Sequence, residues 1–173
     1  ETKRSPLIYR VHDAPSKEKL VALGEFLATI DMKIAKAGTL RPSQFNRILA
    51  DTKSSPNAEL VAEVVLRSQS QAEYTPRNLG HFGLNLRRYA HFTSPIRRYP
   101  DLVVHRMLRA CRRRSRPDDA WVAGLDDLGR DTSNLERNAE SAEREVLTWK
   151  KVALIRDKVG ELFYGVVTGV TAF

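Results

Sequence analysis

The sequence predicts a mainly α-helical fold that ends in one β-strand. Through most of the chain, apolar residues recur three or four positions apart, which is the spacing of an amphipathic helix. Clear alternation of apolar and polar residues occurs near the end of the sequence, in ELFYGVVTGVTAF, where the glycines are of the kind found at bends in a small barrel. Six helices followed by the start of a strand are therefore expected.

Three amphipathic helices are predicted in the first part of the chain. The first follows Ser16, and the second opens at Pro42 or Ser43. The third is predicted to begin with Ser55 as N-cap and Pro56 in the first turn, because a hydroxyl followed by proline favours a helix start. The apolar residues expected to face the core from these helices are Leu20, Leu23, Leu27, Ile30, Ile34, Phe45, Ile48, Leu49, Leu60, Val61, Val64 and Val65.

The segment between residues 74 and 92 has no helical period. Pro76, Asn78, Gly80 and Gly83 favour turns, and the stretch LNLRRYAHF alternates imperfectly between apolar and polar residues. This pattern predicts a loop followed by a brief extended segment.

A fourth helix is predicted to begin at Thr93 or Ser94 and to run to about Arg114. Pro95 would then occupy the first helical position, where an N–H makes no hydrogen bond within the helix and its absence costs nothing. Pro100 would lie inside the helix, remove one N–H and bend the axis near its start.

A polar, partly helical connection is predicted over residues 115–129, followed by a long helix over residues 133–158. Ser133 and Glu136 have the spacing of a capping box, which places the start of the long helix at Ser133. The long helix carries one narrow apolar stripe, formed by Leu135, Ala139, Ala142, Val146, Trp149 and Ala153.

Positive charge is concentrated in one part of the sequence. The formal net charge is +8, and the isoelectric point is about 9.9. Ten arginines and no lysine lie between Arg87 and Arg116, and Asp101 is the single acidic residue there. Because the guanidinium fork matches phosphate oxygens, this distribution favours a nucleic acid over a membrane as partner. A solvated arginine face is the alternative, above all for CRRRSR at 111–116.

Several classes of protein are disfavoured by the sequence. No apolar run approaches the roughly 20 residues that a membrane span needs, and the opening ETKRSPLIYR lacks the apolar region of a signal peptide. A single cysteine, Cys111, cannot form an internal disulfide. We therefore expect a cytoplasmic protein that has no contact with a membrane.

The titratable residues do not form a recognisable metal or nucleophile motif. The four histidines are isolated in the sequence, and structural roles are favoured for His12 and His105. Because His105 lies four residues after Asp101, a side-chain pair between them is expected; the alternative is that Asp101 braces an arginine. Cys111 is assigned no role.

The start of the fourth helix is predicted to bind an anion. Unpaired N–H groups and the positive end of the helix dipole favour negative charge at this position. Thr93 and Ser94 would add hydroxyl donors, and Arg97 and Arg98 would add guanidinium groups. A phosphodiester fits such a corner. If a metal site faces it, an arginine there would stabilise the charge that develops on phosphorus oxygens during attack.

Segments of the sequence resemble the catalytic (RNB) domain of exoribonucleases of the ribonuclease R and ribonuclease II type. LRSQSQAEYTPRNLGHFGLNLRRYAHFTSPIRRYPDLVVHR resembles the signature region of that domain, and PLIYRVHDAPSKEKL resembles the segment before it. ERNAESAEREV and VGELFYGVVTGVTAF resemble the end of the domain and the first strand of the family's C-terminal oligonucleotide-binding (OB) barrel. The GHFG sequence and the Arg-Arg pair of the motif are more similar to the ribonuclease R branch of the family than to the ribonuclease II branch.

The resemblance implies both a fold and an activity. Residues 1–158 would form the helical C-terminal part of an α+β RNB catalytic domain, and residues 159–173 the truncated start of an OB-type RNA-binding barrel. The family hydrolyses single-stranded RNA from the 3′ end to nucleoside 5′-monophosphates, with Mg²⁺ held by clustered aspartates. A monomeric enzyme is expected.

The motif also implies roles for individual residues. Arg97 matches the arginine that supports the transition state, and Arg98 would contact the RNA backbone. Glu143, within AER, matches a position that contacts the 3′-terminal nucleotide; a solvated helix glutamate is the alternative. The residues placed on the RNA path by their neighbourhood in the motif are Arg67, Tyr74, His81, Thr93 and Ser94.

Two departures from the family pattern leave two functional hypotheses. The aspartate cluster of the family lies N-terminal to anything in this sequence, so the Mg²⁺ ligands are expected outside this chain, which alone would be inactive. Gln69 stands where the family has an apolar residue, usually methionine. The first hypothesis is therefore a part of a 3′-to-5′ exoribonuclease. The second is a non-catalytic RNA-binding or scaffold module that retains the phosphate corner.

Overall fold

A computed structural model of the chain describes residues 5–32, 40–115, 118–165 and 167. Their secondary structure is mainly helical, as the sequence predicts. It also contains two short strands. In chain order the elements are β1 (Tyr9–His12), α1 (Lys17–Ala28), α2 (Pro42–Thr52), α3 (Ala58–Ser68), β2 (Ala72–Thr75), α4 (Tyr99–Arg112), α5 (Asp119–Ala123), α6 (Leu125–Ile155) and a 3₁₀ turn (Arg156–Lys158). The chain divides into two compact units, residues 1–133 and 134–173.

Helices α1, α2 and α3 pack around the first of two apolar cores in the N-terminal unit. Its buried members are Leu23, Leu27, Leu40, Phe45, Ile48, Val61 and Val65. Leu20, Ile30, Leu49 and Val64 are partly buried against them. The predicted helical stripes are thus confirmed, because residues three and four apart share one helix face. Leu60 is half-buried, and Ile34 lies outside the described residues.

The start of α3 differs from the prediction. The helix begins at Ala58 with Asn57 as its N-cap residue, whereas the sequence predicts a cap at Ser55. The Ser55 side chain does accept a backbone hydrogen bond, but its donor is the N–H of Asn57 at 3.1 Å, within a tight turn. A serine side chain can accept from the N–H two residues later in a turn as readily as it can cap a helix. The local sequence therefore does not distinguish a turn from a helix start at Ser55.

A two-stranded antiparallel sheet is the main feature that the sequence does not predict. β1 and β2 pair from Tyr9 opposite Thr75 to His12 opposite Ala72. Each strand has four residues, which is too short for a period of two to stand out from its neighbours. The backbone of His12 also accepts a hydrogen bond from the Phe82 N–H at 2.8 Å, which attaches the predicted loop to the sheet.

The second apolar core joins the sheet to α4 and to the first turn of α6. Its buried members are Ile8, Tyr74, Val103, Val104 and Leu125. Residues 103 and 104 come from one face of α4, so the opposite face of that helix is left toward solvent. This packing fixes α4 and the segment before it on a rigid base.

Helix α6 begins earlier than predicted, at Leu125 rather than at Ser133. The proposed capping box is therefore wrong. Ser133 is buried inside the helix, where its Oγ donates to the Gly129 carbonyl at 2.7 Å and accepts from the Tyr74 N–H at 2.8 Å. A serine hydroxyl is compatible with a helix interior when a tertiary partner uses it, and that partner lies 59 residues away in the sequence.

The second unit contains the remainder of α6 and the segment after it. The apolar stripe of α6 is exposed there: Leu135 is 65% exposed and Trp149 is 66% exposed. The predicted C-terminal strand is not present in residues 161–165 or 167, and its other residues lie outside the described part of the chain. The OB barrel therefore stays a prediction.

The close approach of α6 to β2 gives a test of the fold. A Cβ added at Gly129 would lie 2.5 Å from the Tyr74 carbonyl oxygen, a backbone atom that cannot move aside. Gly129→Ala should therefore lower the free energy of unfolding by about 1–3 kcal/mol. Chemical denaturation followed by circular dichroism measures this change.

Gly24→Ala is the matched control, because nothing lies within 4 Å of a Cβ at that site in α1. This substitution should raise the free energy of unfolding by about 0.5–1 kcal/mol through helix propensity. Equal effects of the two substitutions would contradict the packing of α6 on β2.

Candidate nucleic-acid interface

Helix α4 begins at Tyr99, five residues after Ser94, which is the later of its two predicted starts. Its first residue is Tyr99, so Pro100 lies in the first turn, where its missing N–H breaks no helical hydrogen bond. The predicted bend at Pro100 is therefore wrong. Ser94 opens a separate turn, in which its carbonyl accepts from the N–H groups of Arg97 at 3.2 Å and Arg98 at 3.0 Å.

A buried carboxylate holds this turn against α4. Asp101 is 0% exposed, and its Oδ2 accepts the Ser94 N–H at 2.9 Å and the Arg98 Nη2 at 2.9 Å. The corner that the sequence assigns to an external phosphate thus contains an anion of the chain itself. Thr93 and Ser94 do not cap α4, since the turn separates them from its first residue.

The ionisation of Asp101 follows from these contacts. Burial alone would raise the pKa of this carboxyl group, but the hydrogen bond from the Ser94 N–H and the hydrogen bond and charge of Arg98 outweigh that effect. The pKa of Asp101 is therefore lowered, and the carboxylate is charged at neutral pH. Of the two sequence interpretations for Asp101, bracing of an arginine is confirmed.

Arg97 points away from this cluster. Its side chain is exposed, and within the described ranges it has no hydrogen-bond or ion-pair partner in the chain. The neighbouring Ile96 is fully exposed, and Thr93 is exposed as well. By contrast, the Arg98 side chain is 22% exposed and tied to Asp101. The two adjacent arginines therefore differ: Arg98 holds the turn, and Arg97 presents its guanidinium group to solvent.

His105 lies on the exposed side of α4 and does not pair with Asp101, so that expectation is wrong. Its Nε2 donates to the Phe92 carbonyl at 2.8 Å. Its ring stacks on the Phe92 ring with 4.2 Å between centroids and 5° between planes. The structural role predicted for His105 is confirmed, because the contact joins α4 to the segment before the turn.

An arginine-lined groove runs along this side of α4. It has a volume of about 900 Å³. Phe92, Leu102, His105, Arg106, Leu108, Arg109, Arg112 and Arg113 line it. No acidic residue belongs to this lining, so the groove is electropositive. The arginine cluster is evident in the sequence, but its shared face is not among the predictions. The spacing of residues 106, 109, 112 and 113 along a helix is the signal that would have located this face.

His12 and His81 form a separate cluster beside the sheet. His12 is buried, with Nε2 donating to the Ser70 carbonyl at 2.8 Å and Nδ1 accepting the Gly83 N–H at 2.9 Å. Its predicted structural role is confirmed. The His81 ring stacks on His12 at 5.1 Å. Burial, and then the charges of His12 and Arg10, lower the pKa of His81, so its neutral form is favoured at neutral pH.

Tyr74 lies in the core rather than on an exposed surface. It is 5% exposed, and its hydroxyl is 2.8 Å from His91 Nδ1. The guanidinium group of Arg10 lies over its ring at 4.6 Å. Tyr74 therefore supports the segment before the turn, and its place on the RNA path stays a prediction of the resemblance.

The remaining predicted residues belong to elements other than the turn. Arg67 is exposed on α3 and forms an ion pair with Glu63 one helical turn away. Glu143 is exposed on the part of α6 that belongs to the second unit. Cys111 has a sulfur atom 2.9 Å from the Ser5 hydroxyl oxygen.

The described residues contain neither a cluster of metal-ligating side chains nor a helix that could span a membrane. In residues 5–32, 40–115, 118–165 and 167, no group of three or more His, Cys, Asp or Glu side chains could hold a metal ion. In the same ranges, no helix has the length and apolar character needed to cross a membrane.

Comparison with known proteins agrees with the resemblance in the motif. The chain is 41% identical over 169 residues to ribonuclease R of Aquifex aeolicus, covering 97% of this chain and 24% of that protein. It thus spans about a quarter of the length of this relative. Among solved structures, ribonuclease R of Mycoplasma genitalium in complex with ribose-methylated single-stranded RNA has a TM-score of 0.88 and 28% identity, covering 99% of this chain and 28% of that one.

The yeast pseudonuclease Ssd1 shares the fold over 76% of this chain and 16% of its own, with a TM-score of 0.64 and 22% identity. The RNB domain family matches residues 1–113, which is more than half of the chain. Ribonuclease R proteins of Aquifex aeolicus, Vibrio cholerae and Escherichia coli match over nearly all of it. The chain therefore belongs to the RNB domain family.

Proposed function

We propose that this chain is part of a 3′-to-5′ exoribonuclease that hydrolyses single-stranded RNA to nucleoside 5′-monophosphates. The observation that carries the proposal is the solvent-facing Arg97 on a turn held by a buried carboxylate. A preorganised cation stabilises charge that develops on a phosphoryl group without reorganising at the moment of reaction. Membership of the RNB family and likeness to a ribonuclease R bound to single-stranded RNA support the same substrate class.

Each part of the site has a distinct role in this proposal. Arg97 donates to the non-bridging oxygens of the scissile phosphate as negative charge accumulates there. Arg98 fixes the turn through Asp101, and the small exposed part of its guanidinium group faces the RNA backbone. Mg²⁺ belongs to the proposed enzyme, and we assign its ligands to residues outside this chain.

The groove along α4 binds the RNA backbone. Four arginines with no acidic residue among the lining groups attract phosphates, and each phosphate that they neutralise releases a counterion. The stacked rings of Phe92 and His105 supply an aromatic surface on which a base can stack. Thr93, Ser94 and His81 are placed near the RNA path by the motif, as are Arg67 and Glu143. A cytoplasmic location and a monomeric state stay predictions of the sequence.

A non-catalytic RNA-binding module is the second candidate. The fold is shared with a yeast protein described as a pseudonuclease, so the fold by itself does not establish hydrolysis. In that case the groove would bind RNA in the same way, but Arg97 would affect binding alone. Separate measurement of turnover and binding distinguishes the two candidates.

Arg97→Ala in the complete protein that carries this chain should lower kcat for single-stranded RNA by about 10²–10³-fold, because one donor to the transition state is lost. The dissociation constant for RNA should change by less than about tenfold, since a single phosphate contact contributes little in water. Release of mononucleotides from a 3′-tailed RNA measures the first effect, and fluorescence anisotropy measures the second.

Arg47→Ala is the matched control, because Arg47 is also an exposed arginine and lies on α2, paired with Asp51. Its turnover should equal that of the unsubstituted protein. If Arg97→Ala weakens binding but leaves turnover per bound RNA unchanged, the catalytic role of Arg97 fails. Absence of hydrolysis by the unsubstituted protein would favour the second candidate.

RNA binding by this chain should depend strongly on salt. For single strands, the logarithm of the binding constant falls with the logarithm of the salt concentration by about 0.7 per neutralised phosphate. Replacing Arg109 and Arg112 together by alanine should reduce that slope by about 1.4 if each contacts one phosphate. Titration of labelled oligoadenylate over a range of KCl concentrations measures the slope.

The control pair is Arg47→Ala with Arg130→Ala, which removes the same charge from arginines that are paired on other surfaces. This pair should leave the slope nearly unchanged. Equal slopes for both double variants would show that the groove arginines act only through net charge.

A further inference from the structure

The carboxylate of Asp101 is the most completely buried charged group in the described part of the chain, at 0% exposed. It accepts from one group at the start of the turn, the Ser94 N–H, and from one at its end, the Arg98 guanidinium. Arg97 lies between these two anchors in the sequence. The Ser94 backbone and the Arg98 side chain, which flank Arg97, are therefore both tied to Asp101 Oδ2.

The turn itself adds a second constraint. The Ser94 carbonyl accepts from the N–H groups of Arg97 and Arg98, so the peptide after Ser94 is held on its other side as well. With both ends of the turn fixed, the Cα–Cβ direction of Arg97 has little freedom. A long flexible arginine loses much side-chain entropy when it is ordered, so a fixed starting direction lowers the cost of placing its guanidinium group.

The cost of this cluster indicates that it serves more than stability. Asp101 Oδ1 and Arg98 Nε are both buried without a hydrogen-bond partner. Removing such atoms from water costs free energy. Buried ion pairs of this kind often stabilise a fold no better than apolar residues of similar volume.

We propose that Asp101 is a positioning residue for Arg97: through the Ser94 N–H and the Arg98 guanidinium, it fixes the turn so that the Arg97 guanidinium meets the scissile phosphate. This inference rests on the proposed hydrolysis of RNA, and it assigns the preorganisation of Arg97 to a buried group that touches no substrate. Arg97 acts on the reacting phosphate, and Asp101 acts through Arg97.

Asp101→Asn in the complete protein is the first test. The amide oxygen can still accept from the Ser94 N–H, but the charge that holds Arg98 is lost. The value of kcat should fall by about 10–100-fold, as expected when a catalytic group is misplaced by about 1 Å. KM should change by less than about threefold, because Asp101 touches no RNA. Steady-state hydrolysis of a 3′-tailed single-stranded RNA gives both values.

A double-mutant cycle with Arg97→Ala separates positioning from loss of folded protein. If Asp101 acts through Arg97, Asp101→Asn should lower kcat by less than about twofold once Arg97 is alanine. A partly unfolded variant would lose the same fraction of activity in both backgrounds. An equal loss in both backgrounds therefore overturns the proposal, and so does an unchanged kcat for Asp101→Asn alone.

The combined change Arg98→Met with Asp101→Leu covers the case in which Asp101→Asn does not fold. Both charges are removed together, so no buried charge is left unpaired, and the variant should fold although the Ser94 N–H loses its acceptor. Its kcat should nevertheless fall by about the same factor as that of Asp101→Asn. Full activity in this folded variant would overturn the proposal.

Asp127→Asn is the matched control. It makes the same chemical change in another aspartate–arginine pair three residues apart, Asp127 with Arg130, but one that is exposed. Its kcat should be unchanged. If the unsubstituted protein does not hydrolyse RNA under any condition, the proposed function has failed. If it hydrolyses RNA and the cycle is additive, only the role of Asp101 has failed.

The acid dependence of stability provides an independent readout. Because the pKa of Asp101 is lowered in the folded protein, its contribution to stability is complete above the ordinary value of 3.8 and is lost as the pH falls through the lowered folded value. Asp101→Asn should lack this acid-dependent component. Identical acid unfolding curves for the two proteins would mean that the cluster does not form in solution.

Discussion

A single buried carboxylate accepts hydrogen bonds from two groups that precede its own helix, the Ser94 N–H and the Arg98 guanidinium. These two contacts convert the residues between them from a loop into a defined turn. The charge of Asp101 is stable in the interior because the Arg98 cation and the Ser94 N–H dipole face it. Arg97 and Arg98 therefore have different roles. The Arg98 guanidinium binds Asp101 inside the protein, and the Arg97 guanidinium is left for a ligand.

The turn needs a rigid base, and the second apolar core supplies it. Val103 and Val104 anchor α4 beside Tyr74 of β2 and Leu125 of α6. Ser133 adds a contact within this core by accepting the hydrogen bond of the Tyr74 N–H. The Tyr74 hydroxyl also forms a hydrogen bond with His91 Nδ1. The residues of the motif are thus divided between an exposed turn and the buried support beneath it.

Much of the fold is predictable from local patterns, and the failures have physical causes. The stripes of α1, α2 and α3 are correctly predicted because apolar burial repeats with the helical period. The starts of α3 and α6 are not, because Ser55 and Ser133 use their hydroxyls in a turn and in a tertiary contact. The sheet is missed because its two four-residue strands are stabilised by pairing across 60 residues or more.

The sequence by itself determined the family, the concentration of arginine and the motif in which Arg97 and Arg98 stand. Only the tertiary structure decided which of these arginines faces solvent and which is bound to Asp101. Adjacent residues of the same type have the same local propensities and the same charge. What separates them is the burial of a carboxylate three residues further along, and burial is a property of packing between elements distant in the chain.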